Sequence, residues 1–208
     1  FGMVMRNSDG SEAETCLNGV RCVARAGFEA LGMTEATVRL KTSHADAVRD
    51  ADLAPGVYTV RETAGPAGLS TAAWPIHGAP EQLVEAVLPM LDGEKRFTAV
   101  TMPNPHLVHF VETVDEAELV RLGEFCEAAP DWLPRRANVS FVEVRGDALF
   151  VRTFERGVGL TDSCGSAMAA STYAACLTGR IAWDVPTVVF NRGGLVRAFA
   201  GEDGMVTL

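Results

Sequence analysis

The sequence predicts a mixed α/β (α+β) protein in which a curled sheet wraps a central helix. Three observations predict it. Strand-like and helical runs are interspersed without the regular alternation of a βαβ series. One helical run, at residues 166–178, is apolar over most of its circumference, as a buried helix must be. A degenerate internal repeat then places a cysteine at the start of a helix twice along the chain.

The elements follow in order. Residues 16–31 read as an amphipathic helix, with Val20, Val23, Ala24, Gly27, Phe28 and Leu31 at helical spacing and Gly32 as the stop. Residues 37–42 and 57–62 read as strands. The breaker cluster Ala64-Gly65-Pro66-Ala67-Gly68 is the expected boundary between an N-terminal domain, 1–65, and a C-terminal domain, 66–208. Residues 80–91 are expected to be helical. Residues 97–102 and 107–112 are expected strands around Pro103-Asn104-Pro105, and 115–128 an amphipathic helix with an acidic start. Residues 138–144 and 148–154 form a hairpin across Arg145-Gly146-Asp147. The small side chains Ala167, Ala169, Ala170, Ala174 and Ala175 in the last helix would let strands approach it closely. Gly179 ends that helix, and short strands follow at 187–190, 195–200 and 205–208.

Composition narrows the function classes. The 208 residues suffice for one large or two small domains. Acidic residues outnumber basic ones 27 to 18, for a net charge of −9, which argues against nucleic acid or an anionic membrane as partner. No apolar run approaches the ~18–20 residues that span a bilayer, and no secretory signal is evident, so a cytoplasmic location is expected. Five cysteines are too few for a disulfide scaffold, no CxxC pair occurs, and the four histidines are not at metal-ligand spacing, so no metal is expected.

The repeat carries the chemistry. Asp9-Gly10-Ser11-Glu12-Ala13-Glu14-Thr15-Cys16-Leu17-Asn18-Gly19 opens the first helix, and Gly157-Val158-Gly159-Leu160-Thr161-Asp162-Ser163-Cys164-Gly165-Ser166-Ala167 opens the last. The cysteine stands 16 residues before the closing glycine in one and 15 in the other. A thiol at a helix N-terminus meets unpaired N–H groups and the positive end of the dipole, which favour the thiolate. The same N–H groups bind a carboxylate. Two such starts facing one substrate would grip its carboxylate and present thiols to both faces of a stereocentre, which is acid–base catalysis without a cofactor. The other cysteines, Cys22, Cys126 and Cys176, are expected in the core as small buried hydrophobes.

Five blocks in order resemble the diaminopimelate epimerase family. They are Asn7-Ser8-Asp9-Gly10-Ser11-Glu12-Ala13-Glu14, Cys16-Leu17-Asn18-Gly19-Val20-Arg21-Cys22-Val23-Ala24, Asn104-Pro105-His106, Asn138-Val139-Ser140-Phe141-Val142-Glu143-Val144, and Glu155-Arg156-Gly157-Val158-Gly159 leading to Cys164-Gly165-Ser166. The resemblance implies two pseudo-symmetric domains, each a mixed sheet curled round a central helix, with the active site between them. It implies an epimerase interconverting LL- and meso-2,6-diaminopimelate without a cofactor, in lysine and peptidoglycan synthesis, working as a homodimer. Cys16 and Cys164 would be the acid–base pair. The backbone at Leu17, Asn18, Gly165 and Ser166 would hold the α-carboxylate. Asn7, Asn104, Asn138, Glu155 and Arg156 would read the substrate's other polar groups, and His106 and Glu155 would tune the thiols. The residue types fit: Arg156 offers a planar fork for a distal carboxylate, and Glu155 an anion for a distal ammonium. Taken singly, His106, Asn104 before Pro105 and the Glu155-Arg156 pair would each be ordinary structural residues.

The chain also departs from the family pattern. Leu17 stands where the family has Gly, Ala167-Met168 replaces Gly-Ala, and Pro103 replaces a Gly. The family's first strands would precede Phe1 and its last would follow Leu208, so a piece of a longer protein is expected. Leu17 is the feature favouring a racemase of another amino acid on the same fold, of histidine or proline/hydroxyproline type. A relative using carboxylate acid–base chemistry and an inactive paralogue are the remaining alternatives.

Overall fold

The computed structural model describes residues 1–6, 10, 12, 13 and 15–208. Its elements are α1 (Leu17–Leu31), β1 (Glu35–Arg39), β2 (His44–Arg49), β3 (Val60–Pro66), β4 (Ala86–Leu88), β5 (Asp92–Thr101), β6 (Pro105–Phe110), α2 (Glu116–Glu127), β7 (Asn138–Arg145), β8 (Ala148–Glu155), β9 (Gly159–Thr161), α3 (Gly165–Leu177), β10 (Thr187–Asn191), β11 (Gly194–Ala200) and β12 (Met205–Thr207). Among the described residues the twelve strands form one mixed sheet, in the order β1-β2-β3-β12-β11-β10-β8-β7-β6-β5-β4, with β9 on β8. Only the β6–β7 and β8–β10 pairs of named strands are parallel. The sheet curls without closing. No described helix is long and apolar enough to cross a membrane.

The sheet curls around α3, which lies against β3, β5–β8 and β10–β12. Eleven of its thirteen residues are buried, among them Ala167, Ala169, Ala170, Ala174 and Ala175. Their short side chains let the backbones approach, while Met168 and the facing Val100, Val108, Val142, Val151 and Val189 fill the space between. Burying each such aliphatic chain contributes roughly 1.5–3 kcal/mol. The expectation of a central helix wrapped by strands therefore holds.

The other helices bury one face each. In α1, Val20, Ala24 and Phe28 recur every four residues and pack on Val38, Ala45, Ala47 and Val60 of β1–β3. In α2, Asp115 caps the start by accepting from the N–H groups of Ala117 and Glu118 at 2.9 and 3.1 Å. Leu119, Leu122 and Cys126 then face Phe97, Leu107, Phe141 and Phe154. The expected hairpin is β7–β8, in register from Arg145↔Ala148 to Val139↔Phe154.

Three expectations change. Residues 80–91 are not a helix: Leu83 and Leu88 are buried against β5, and only β4 is regular. Glu85 takes φ +44, and Pro89 disfavours helical geometry at Leu88, so the backbone bonds to the sheet edge instead. Ala99 N–H donates to the Leu83 carbonyl at 2.8 Å and Glu85 N–H to Thr98 Oγ1 at 3.1 Å. The strand expected at 57–62 lies three residues later, and Ala64, Gly65 and Pro66, read as breakers, are its last residues. Cys22 is exposed, whereas Cys126 and Cys176 are buried as expected. Two positions beyond Val20, it lies about 200° round the helix from the buried stripe. There it borders a cleft of about 450 Å³ with Asn18, Arg21, Ser163 and Asn191.

The α2–β8 crossing rests on Gly123, where an added Cβ would lie 2.1 Å from Phe154 Cγ. Gly123→Ala should therefore destabilise by about 1–3 kcal/mol in denaturant unfolding. An unchanged unfolding midpoint would show that α2 shifts freely on the sheet.

Candidate functional site

The site begins with two N-caps. Cys16 precedes α1 with φ −151° and ψ 94°, and Cys164 precedes α3 with φ −128° and ψ 108°. Both are extended, so each sulfur stands beside the free N–H groups of a first helical turn. Cys16 Sγ accepts from the Gly19 N–H at 3.4 Å, and Cys164 Sγ lies 3.5 Å from Ser166 Oγ.

The two first turns abut. A Cβ added at Gly165 would fall 2.7 Å from Leu17 Cβ, closer than real Cβ contacts come. Leu17 turns its side chain into the core around α3 and is 3% exposed, so the first residue of α1 belongs to the packing of the other helix. Asn18 Nδ2 donates to the carbonyl and hydroxyl oxygens of Ser163, each at 3.3 Å. Cys16, Leu17 and Asn18 are thereby brought to Cys164, Gly165 and Ser166. Glu155 joins them from the end of β8. Its carboxylate accepts from the Thr161 hydroxyl and lies close enough to the Cys164 sulfur for its charge to act on the thiol.

Electrostatics reverse one expectation. Burial pushes the Cys16 thiol up, and the anions of Glu155 and Glu62 add to this against the Gly19 N–H and the Arg21 charge. Burial also pushes Cys164 well above the ordinary thiol value, followed by the Glu155 charge. The helix-start N–H groups favour the thiolate, as expected, but loss of water from the sulfur outweighs them. Burial raises Glu155 as well. Among the described residues, Glu155 is thus the one anion acting on both thiols.

A second cluster adjoins Glu155. Asn138 is buried, donates to the Pro105 carbonyl at 3.1 Å, and accepts from the Arg156 N–H at 2.8 Å. The buried His106 ring donates from Nε2 to Asn104 Oδ1 at 2.9 Å, and its Nδ1 has no partner among the described residues. Burial, then the Arg156 charge, lowers its pKa to about 3, so the ring is neutral. The structure brings His106 to Asn104 and Asn138 rather than into hydrogen bonding with a thiol. Arg156 Nη1 donates to the Arg135 carbonyl at 3.1 Å. Asn7 lies outside the described residues.

Sequence reasoning missed several residues that hold the site. Thr161 fixes Glu155. Ser163 receives Asn18 from one side and, at 3.1 Å, Asn191 Nδ2 from the other. Gly193 N–H holds the Asp162 carbonyl at 2.9 Å. Arg21 bridges Asn18 to the buried Glu62, whose carboxyl burial raises to about 8. The one signal for Thr161 and Ser163 was their position between the Gly157–Gly159 turn and Cys164.

The family profile described as diaminopimelate epimerase matches residues 98–207. The chain is 38% identical over 200 residues to "Diaminopimelate epimerase" of Listeria monocytogenes serotype 4a, an alignment spanning 95% of this chain and 61% of that protein. It is 40% identical over 201 residues to "Diaminopimelate epimerase" of Enterococcus faecalis, spanning 94% and 61%. The chain thus spans about three fifths of the length of the curated relatives it matches. A solved hydroxyproline epimerase from Agrobacterium vitis superposes with a TM-score of 0.68 at 15% identity, over 99% of this chain and 66% of that one, a likeness of fold alone. With the profile covering more than half of its residues, the chain belongs to the diaminopimelate epimerase family.

Proposed function

We propose that the protein interconverts LL- and meso-2,6-diaminopimelate by two-base chemistry between Cys16 and Cys164, without a cofactor. The observation that carries this reading is the pair of N-cap cysteines on helices whose first turns touch. The N–H groups of Leu17, Asn18, Gly165 and Ser166 would hold the α-carboxylate against both helix dipoles. The thiolate of one cysteine takes the Cα proton and becomes a thiol. The opposite thiol gives its proton to the other face of the same carbon and becomes a thiolate, so the pair is exchanged after each turnover. The substrate's α-ammonium, carried on the carbon between the sulfurs, supplies the positive charge that lets one of them ionise, its proton leaving to water. Asn7, Asn104, Asn138, Glu155 and Arg156 are proposed to read the distal amino acid end, and neutral His106 to hold Asn104. The reading places the protein in the cytoplasm, as a homodimer serving lysine and peptidoglycan synthesis.

Leu17 does not favour a different substrate. Its side chain is buried in the α3 core rather than turned toward the thiols, and its φ is not positive, so its N–H remains available at the helix start.

Cys16→Ser and Cys164→Ser should each lower epimerisation by about 100-fold or more while the fold is kept. Near-full activity in either variant contradicts the two-base assignment. In deuterated water, diaminopimelate should gain deuterium at Cα. Exchange of histidine or proline but not diaminopimelate would transfer the function to another racemase. Because both thiols are raised, the thiolate grows only as pH climbs toward and beyond the usual thiol range. Accordingly kcat/KM should rise with pH on the alkaline side, and a rise already complete below pH 7 contradicts this reading of the site.

A further inference from the structure

The guanidinium of Arg152 is the most buried cation among the described ion pairs, with its side chain 2% exposed, and it touches neither cysteine. A charge so deep in the protein must be matched by acceptors. Nε donates to Glu116 Oε1 at 2.7 Å, Nη1 donates to the Thr161 carbonyl at 2.7 Å, and Asp162 Oδ1 lies 3.5 Å away. The fork therefore ties the first residue of α2 to the last residue of β9, three positions before Cys164. Arg152 and Glu155 are an odd number of residues apart on β8, so their side chains leave opposite faces of the strand. Thr161 connects them: its carbonyl faces Arg152, and its hydroxyl donates to Glu155 Oε1. The residues after Thr161 have separate supports, the Gly193 N–H on the Asp162 carbonyl and Asn191 on the Ser163 hydroxyl. Freeing Thr161 thus releases Glu155 and leaves Cys164 in place.

We propose that Arg152 is a positioning residue that fixes the Glu155 carboxylate against the Cys164 thiol by holding Thr161. The assignment rests on the two-thiol reading above for its consequence in catalysis, though not for its geometry. The groups facing Cys164 are Glu155 from β8 and the Ser166 hydroxyl from α3. Displacing the Glu155 anion removes a charge that opposes ionisation of the thiol.

The test is the pH midpoint of the Cys164 13Cβ resonance in the full chain labelled at cysteine, compared across single and double variants. Glu155→Gln should move the midpoint to lower pH. Thr161→Val, which removes only the hydroxyl, should move it the same way, and so should Arg152→Gln. Arg152→Lys keeps the buried charge without the fork and should fall between, which preserves the test if Arg152→Gln does not fold. A residue acting through Glu155 has no effect once Glu155 is gone, so the shifts of Thr161→Val and Arg152→Lys should vanish in the Glu155→Gln background. Equal shifts in both backgrounds, or no shift in the native one, overturn the proposal. With diaminopimelate, kcat/KM should fall by up to about 100-fold in Arg152→Gln and Thr161→Val, since the displaced Glu155 also reads the substrate. If the parent protein exchanges no proton of diaminopimelate, the epimerase reading fails, and the resonance midpoints still decide the role of Arg152.

Discussion

The site depends on the contact between the first turns of α1 and α3. Leu17 is seated in the core around α3, and Gly165 leaves it room by having no side chain. Any Cβ at position 165 would meet Leu17 Cβ at 2.7 Å and push the helix starts apart. Because each helix begins directly after a cysteine, one van der Waals contact fixes where both sulfurs stand. Asn18 on Ser163 supplements it with hydrogen bonds across the same seam. The curled sheet serves this contact from a distance, since α1 is held on β1–β3 and α3 against β3, β5–β8 and β10–β12, joined through the β3–β12 pair.

This arrangement has an electrostatic cost that fits the proposed chemistry. Helix starts favour a thiolate, yet these sulfurs are taken from water, and burial raises both. Glu155 raises them further and is itself raised. At rest the pair is held as thiols. A zwitterionic amino acid would bring the missing positive charge on its ammonium while its carboxylate meets the free N–H groups. In the proposed chemistry ionisation would thereby be coupled to occupancy, which would keep a reactive thiolate from forming without substrate. The neutral, buried His106 contributes no charge there and bonds to Asn104.

Much of this was legible in the sequence where one local signal dominates. The all-round apolar run became the buried α3, the acidic start of α2 is capped by Asp115, and the Arg145-Gly146-Asp147 turn joins β7 to β8. The two cysteines stood out because each precedes a helix start with small or polar neighbours. What failed was set by distant partners. β2 buries Ala45 and Ala47, residues with little strand preference, and was missed. Residues 80–91 carry helical spacing, but Pro89 and the free edge of β5 decide otherwise. Cys22 follows the helical pattern nearly well enough to look buried, yet lies on the cleft side. The direction of the thiol shifts depends on burial, which no spacing reveals. Thr161 meets Glu155 and Arg152 through the β8–β9 pairing, a contact no local signal announces.

If Cys16 and Cys164 face one another across a single carbon, mild oxidation of the native chain should join them, as non-reducing digestion and peptide mass analysis would show. One dominant disulfide, Cys16 to Cys164, should form, with activity lost on its formation and recovered on reduction. Oxidation that joins either of them to the exposed Cys22 instead, or leaves both free, would contradict that placement.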